Sequence, residues 1–368
     1  MMKKFFLVAC MAIVITACTE SDDTGGGTTS DSFDRGAMLT NLADNIIIPA
    51  YQDLDAKLAV LVTAKDNFIA EPNQVNLTAL RASWLSAYKT WQHVEMFNIG
   101  KAEETVYYFQ MNIYPTNVTD VQNNIASGTY DLSTPSNNDA VGFPALDYML
   151  YGVADTDEAI IAMYHTATDA AKYKTYLSDL TEQMKALTSV VLSDWTTSYR
   201  ATFIAGTANT ASSAANKLIN DFIFYYEKGL RANKVGIPAG NFSSTPLPEK
   251  VEAYYNKQVS KELATEALTA VKNVFEGRAY NGTATGSSFK SYLEFLGKTE
   301  LSTRITNALT NGMQKLETLD NNFYNQVNTN NAKMTEAYDA LQAVVVLFKV
   351  DMLQAFNVSV DYVDADGD

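Results

Sequence analysis

Apolar residues recur at three- and four-residue spacing through long stretches of this chain, and clusters of Gly, Pro and Asn separate those stretches. No run alternates convincingly with the period of two that a half-buried strand requires. Such stripes are buried only by packing helix on helix, so the expected fold is all-α. The spacing predicts helices near 33–48, 50–70, 75–98, 116–127, 140–151, 166–204, 210–234, 257–276, 287–296, 299–318 and 330–354. The lack of a fixed-period repeat argues against a solenoid. A length of 368 residues favours two domains. The polar, small-residue stretch at 205–213 is the best place to divide them, giving an N-terminal helical bundle at 33–205 and a C-terminal helical bundle at 206–368 packed against each other. An intact helix across that stretch is the alternative.

The N-terminus carries a separate signal. Lys3 and Lys4 precede an apolar stretch, Phe5 to Val14, that is too short for a lasting membrane helix, and Ile15-Thr16-Ala17-Cys18 closes it. The small residue before Cys18 resembles the bacterial lipobox. Residues 1–17 are thus expected to be a lipoprotein signal peptide, with Cys18 the site of lipidation. Residues 18–32 are polar and Gly-rich, a flexible tether with an r.m.s. reach of about 20 Å. An acidic run soon after Cys18 resembles the surface-export signal of Bacteroidetes lipoproteins. The expected location is the outer membrane, held through lipid, with the cell surface a finer expectation. Cleavage also discards Cys10, leaves no thiol for a disulfide, catalysis or metal binding, and takes the formal net charge from −15 to −17 through the loss of Lys3 and Lys4.

Acidic residues outnumber basic ones 42 to 27 with no Lys/Arg cluster, which excludes a nucleic-acid partner because phosphate neutralisation needs a basic surface. Histidine is scarcer still, with only His93 and His165. A catalytic zinc normally takes three ligands from His, Cys and carboxylates, and the chain lacks His-Glu-x-x-His. His93 and Glu95 are two apart and point to different sides of a helix, and His165 precedes a polar helix and should be solvated. No zinc site is expected. Gly-x-Ser-x-Gly is also absent, so a serine-hydrolase elbow is not indicated.

Two carboxylates fall where core residues belong. In 75–98 the buried stripe runs Leu77, Leu80, Trp84, Tyr88, Trp91, and its next position is Glu95. In 140–151, Asp147 stands among Phe143, Leu146 and Leu150. A buried carboxylate is costly unless it is paired, hydrogen-bonded or liganded. Either each acid makes a structural bond to a Tyr, Trp or backbone group, or both face a shared pocket. In the second case Glu95 and Asp147 are the metal candidates, suited with backbone oxygens to a hard or iron cation.

Cations and glycines mark the second half. Lys228, Arg231 and Lys234 gather near a helix end at Gly236 and Pro238, where they favour the helix C-terminus; Glu227 with Arg231 makes an i,i+4 pair. The alternative is that they meet the buried acids or an anionic ligand. The stretch 277–288 opens a helix with Ser287 or Ser288 as N-cap and Arg278 nearby, an ordinary capped loop or an anion site. The tail residues Asp361, Asp364, Asp366 and Asp368 end before an acid could close a calcium loop.

The segment Gly142-Phe143-Pro144-Ala145-Leu146-Asp147-Tyr148-Met149-Leu150-Tyr151-Gly152 resembles the imelysin family, whose members carry Gly-x-His-x-x-Glu before an apolar run. Trp84 to Gly100, Asn112-Ile113-Tyr114-Pro115, Lys228 to Arg231, Lys234 to Pro238, Arg278 to Gly297 and Tyr362 to Asp368 extend the likeness over most of 33–368. The resemblance implies a two-domain helical fold with the signature near the domain interface, export to the envelope, an association with iron uptake in some relatives, and a peptidase label. Here the chain departs from the pattern: the His position is Pro144 and the Glu position is Asp147. Proline offers no ligand, though it fits the first turn of a helix.

The reading that results is an imelysin-like envelope lipoprotein that binds a small ligand, metal or peptide without catalysis, with an expected link to iron uptake. Trp91, Glu95, Tyr114, Gly142, Phe143, Pro144 and Asp147 are the candidate site, with Lys228, Arg231, Lys234, Arg278 and Ser287 as second-half candidates. A metal-dependent peptidase using Glu95 and Asp147 is the alternative, and a glycan- or protein-docking surface lipoprotein is a third.

Overall fold

The computed structural model describes residues 31–361. Residues 1–17, Cys18, most of the tether, and Asp364, Asp366 and Asp368 lie outside that range. Residues from Phe33 onward group as one compact unit.

Helix α1 (Arg35–Leu42) passes through a π-helical turn (Ala43–Ile47) into α2 (Ile48–Ala70); Pro49 has no N–H to give this continuous run, and the Asn45 carbonyl accepts from the Tyr280 amide at 2.8 Å. Asp34 starts the run by accepting from the Ala37 amide at 2.8 Å. A turn capped by Asn73 leads into α3 (Gln74–Trp91). Two short helices, α4 (Lys101–Glu104) and α5 (Tyr107–Met111), precede α6 (Val118–Ser127). Helix α7 (Gly142–Asp147) continues as a π-helical turn (Tyr148–Gly152) and is followed by α8 (Asp157–His165). The long α9 (Ala170–Asp194) extends through another π-helical turn (Trp195–Tyr199) into α10 (Arg200–Ala205).

Across the 206–213 connection, Ser213 caps α11 (Ala214–Phe224), and a long π-helical run (Tyr225–Gly236) leads to the single turn α12 (Ile237–Ala239). An irregular segment then reaches α13 (Ser260–Glu276), α14 (Phe289–Phe295), α15 (Thr299–Glu317), α16 (Phe323–Val346) with a break at Asn330, and, after a final π-helical turn, α17 (Leu353–Phe356). No strand forms among the described residues, and the fold is all-α.

The periodicity decides what packs. Leu54, Leu58, Leu61 and Phe68 of α2 face α3 and α9, whose own stripes are Leu77, Leu80, Trp84 and Tyr176, Leu180, Met184. In the second half, α16 lies on α15 and on the π-helical run, and α13 on α15. The buried apolar residues of both halves join in one continuous core. Charge pairs cross the junction as well: Lys89 of α3 reaches Glu262 at 2.6 Å and Glu266 at 3.1 Å on α13.

Several elements differ from the expected spans. The helix predicted at 75–98 stops at Trp91, and residues 92–96 form turns, so Glu95 sits just past the helix rather than in it. Helices α4 and α5 are too short to show a period. Helix α8 had a legible start: Thr156 accepts from the Ala159 amide, and Asp157 and Glu158 occupy the first turn. The N-cap of α14 is Ser288, not Ser287.

Candidate functional site

Helix α3 delivers Tyr88, Trp91 and, in the turn beyond it, Glu95 to the interior between the two halves. Glu95 is 5% exposed. Its Oε1 accepts from Asn112 Nδ2 at 2.7 Å, and Lys234 Nζ lies 3.5 Å from Oε2. Lys234 comes from the π-helical run and is itself 1% exposed. It donates to both oxygens of Glu252, each at 2.8 Å. Glu252 also accepts from Asn112 at 3.0 Å and from Gln92 at 3.3 Å, while Tyr88 donates to Asn112 Oδ1 at 2.6 Å. One cation therefore balances two carboxylates in a sealed polar centre. Burial pushes Glu95 above the usual carboxylate range, with Lys234 pulling the other way and Glu252 adding to the rise. Burial alone would lower Lys234, but Glu252 and Glu95 more than reverse it and hold the ammonium charged.

Asp147 has a different task. Its Oδ2 accepts from the Tyr255 amide at 2.7 Å and its Oδ1 from the Asn256 amide at 3.0 Å. It thereby fixes a turn in which Ala253 and Lys257 adopt left-handed φ values of 55° and 65°. That segment begins with Glu252, so Asp147 helps set where the partner of Lys234 sits. Burial pushes Asp147 up to about 7, against the two amides and Lys257.

Pro144 is the third residue of α7, within its first turn, and it is buried. With Tyr114, Pro115, Asp147, Tyr254 and Tyr255 it lines a cleft of about 160 Å³. Tyr114 and Pro115 also form one side of a second cleft with Tyr108, Asn112, Asn233 and Lys250. The Tyr114 ring thus borders both clefts while its hydroxyl is turned inward, sealed and without a partner among the described residues. Behind Pro144, Phe143 stacks on Tyr88 with centroids 4.4 Å apart, and its carbonyl accepts from Trp84 Nε1 at 3.2 Å. Gly142 has φ 73°, and a Cβ there would stand 2.2 Å from the Met111 carbonyl oxygen.

The imelysin family model matches residues 47–349. The chain belongs to the imelysin family. Iron-regulated protein A of Synechococcus elongatus is 22% identical over 262 residues, covering 68% of each chain. Two crystal structures share the fold: an imelysin-like protein from Psychrobacter arcticum (TM-score 0.68, 18% identity) and a protein described as an iron-regulated protein A precursor from Parabacteroides distasonis (TM-score 0.72, 17% identity). Each alignment covers 89% of this chain and 97% of the other.

In this imelysin-family chain the signature positions do not fit a resident metal. Pro144 has no donor atom, both oxygens of Asp147 are bound by backbone amides, and Glu95 is engaged by Asn112 and Lys234. Among the described residues no three His, Cys, Asp or Glu side chains group as an ion site. Glu95 and Asp147 are both buried, but they are held by separate partners rather than facing one another across a shared ion.

The second-half candidates divide. Lys234 joins the centre. Arg231 belongs to another buried group, donating to Tyr338 at 2.8 Å and to Gln342, with Glu227 Oε1 at 3.7 Å and Lys349 reaching the same oxygen at 3.4 Å. Lys228 is half-buried and outside both groups. Arg278 is half-buried and 3.7 Å from Glu276, and Ser287 contributes its carbonyl to Asn41. His93 pairs with Glu266 at 3.1 Å, and His165 is exposed at the end of α8. Sequence reasoning missed Glu252, which lies in an irregular segment where no period aims a side chain. It also missed Asn112 and Gln92 as parts of the centre.

Proposed function

We propose that this protein is a non-catalytic envelope lipoprotein that binds a small ligand at the clefts beside Tyr114, above the Glu95–Lys234–Glu252 centre. The observation that carries this reading is the placement of Tyr114, whose ring walls both clefts while its unpartnered hydroxyl faces the buried charges. A pocket bounded by Tyr and Pro with a few converging polar groups suits recognition of a small molecule. Pro144 in place of the family's His and the amide-bound Asp147 weigh against water activation. Export and anchoring through Cys18 are supported by the N-terminal pattern and by a relative described as a precursor. Among the described residues no helix is long and apolar enough to cross a membrane. A link to iron is supported by the names of two relatives. The docking alternative has less behind it, since every described Tyr and Trp is buried or half-buried.

Calorimetry with ferric citrate, ferrous iron, calcium, haem and a short peptide tests the reading. Saturable binding that weakens at least tenfold in Tyr114→Ala is expected, and no binding to any of them would remove it. Chelator-sensitive peptide cleavage lost in Asp147→Asn would favour the peptidase instead.

A further inference from the structure

The two clefts that share Tyr114 and Pro115 differ in charge. In the first, of about 160 Å³, the charged residues among those described are both acids, Asp147 and Glu249, and Tyr254 and Tyr255 form part of the wall. In the second, of about 260 Å³, the one charged residue among those described is the cation Lys250, with Asn233 and Tyr108 as polar neighbours. Glu249 and Lys250 are consecutive residues of a 3₁₀-helical turn (Pro248–Lys250), so their Cα atoms lie about 3.8 Å apart. The turn thus gives an acid to one cleft and a cation to the other. Glu249 is exposed and Lys250 half-buried, and among the described residues neither side chain has an ion pair.

Each cleft fits a different charged group. Tyr ring faces attract a cation, and Tyr254 already holds one: the Lys257 ammonium stands 5.2 Å from its centroid and 4.9 Å from that of Tyr324. With Glu249 at the rim and Pro115 and Pro144 in the wall, the first cleft suits an alkylated ammonium, whose methyl groups pack on rings and prolines while its charge meets the acid. A hard metal ion needs oxygen ligands, and both oxygens of Asp147 already accept from amides. In the second cleft, the Lys250 ammonium and the Asn233 amide supply donors for a carboxylate. A ligand of one sign meets the charge of one cleft only. Joining both charges in one molecule makes the second contact intramolecular and so raises affinity.

We propose that the paired clefts take one small zwitterion, an alkylammonium carboxylate. Its ammonium enters the cleft of Tyr254, Tyr255 and Glu249, and its carboxylate meets Lys250 and Asn233 across the wall that Tyr114 and Pro115 share. This inference rests on the binding function proposed above and adds the class of ligand.

Calorimetry on the full chain with glycine betaine and its longer homologues tests it, with tetramethylammonium and acetate as the single-charge probes. One homologue should bind saturably and at least about tenfold tighter than either probe. Lys250→Gln should remove the advantage over tetramethylammonium, and Glu249→Gln the advantage over acetate. Both substitutions lie at cleft rims, and unchanged thermal midpoints would show that the fold is intact. A single-charge probe that binds as tightly as every homologue would overturn the inference, as would a zwitterion whose affinity is the same in both variants. If no zwitterion binds while ferric citrate, haem or a peptide binds in a Tyr114-dependent way, the ligand class is wrong and the cleft function stands. If nothing binds, both are removed.

Discussion

Lys234 Nζ stands 2.8 Å from each carboxylate oxygen of Glu252, with both side chains 1% exposed. The pair joins the π-helical run to the irregular segment after it. Removing the cation strands two buried acids, Glu252 and Glu95. Lys234→Met should therefore cost about 3–5 kcal/mol, the usual penalty for an uncompensated buried charge. Adding Glu252→Leu should recover part of the loss, because the pair is then replaced by apolar groups. Urea denaturation of both variants checks this; a single variant within about 1 kcal/mol of wild type would mean that the charges are not sealed.

Asp147 makes stability depend on pH in a predictable direction. Burial raises it from 3.8 to about 7, so its contribution is fully present below about pH 4 and is lost as pH rises through 7. In Asp147→Asn that dependence disappears, although the variant forfeits one amide acceptor. Wild type should be the more stable protein at pH 4, and its advantage should shrink by roughly 1–4 kcal/mol by pH 8. Glu95 and Asp221 are also raised, but they are present in both proteins and cancel in the difference. Urea midpoints of the two proteins across that range are the measurement. A constant or widening gap would refute the assignment.

Much of this arrangement is legible in the sequence. The Phe143–Leu150 stripe points Asp147 inward because a 3.6-residue period fixes side-chain direction; the stripe from Leu77 to Trp91 predicts the same for Glu95, which is buried although the helix stops at Trp91 and turns, not the period, place it. Their partners are not legible. Asp147 is bound by amides 108 and 109 residues away, and backbone amides have no sequence signature. Glu252 lies in a segment with two left-handed residues, Ala253 and Lys257, where no period applies. A shared pocket for Glu95 and Asp147 would require inward-facing acids to converge, whereas a junction of many helices has room for separate polar centres.

Gly142 is the signature residue whose identity the backbone dictates. Its φ of 73° and the 2.2 Å approach of a Cβ to the Met111 carbonyl leave no room for a side chain. Gly142→Ala should destabilise by at least about 2 kcal/mol, beyond the cost of the left-handed backbone alone. Gly128 is the control, with φ 67° and nothing within 4 Å of its Cβ position. Gly128→Ala should cost only about 1 kcal/mol. Equal thermal shifts in the two variants would show that the contact with Met111 relaxes freely.

Restoring the family's histidine should not restore a metal site. In Pro144→His the new side chain enters a first-turn position bordering the cleft, where the regained N–H needs no intrahelical partner. The variant should fold, losing no more than about 1 kcal/mol as the unfolded chain gains freedom. A metal held by the introduced imidazole would next need Asp147, three residues on and on the same face. Both oxygens of that acid already accept from Tyr255 and Asn256, and releasing them would loosen the turn that positions Glu252. Titration with zinc and ferric citrate should therefore show the same affinity in Pro144→His as in wild type, within about twofold by the usual scatter of such context effects. Stoichiometric zinc binding acquired by the variant would mean that Asp147 yields its amides readily, and that proline alone separates this chain from a metal-binding relative.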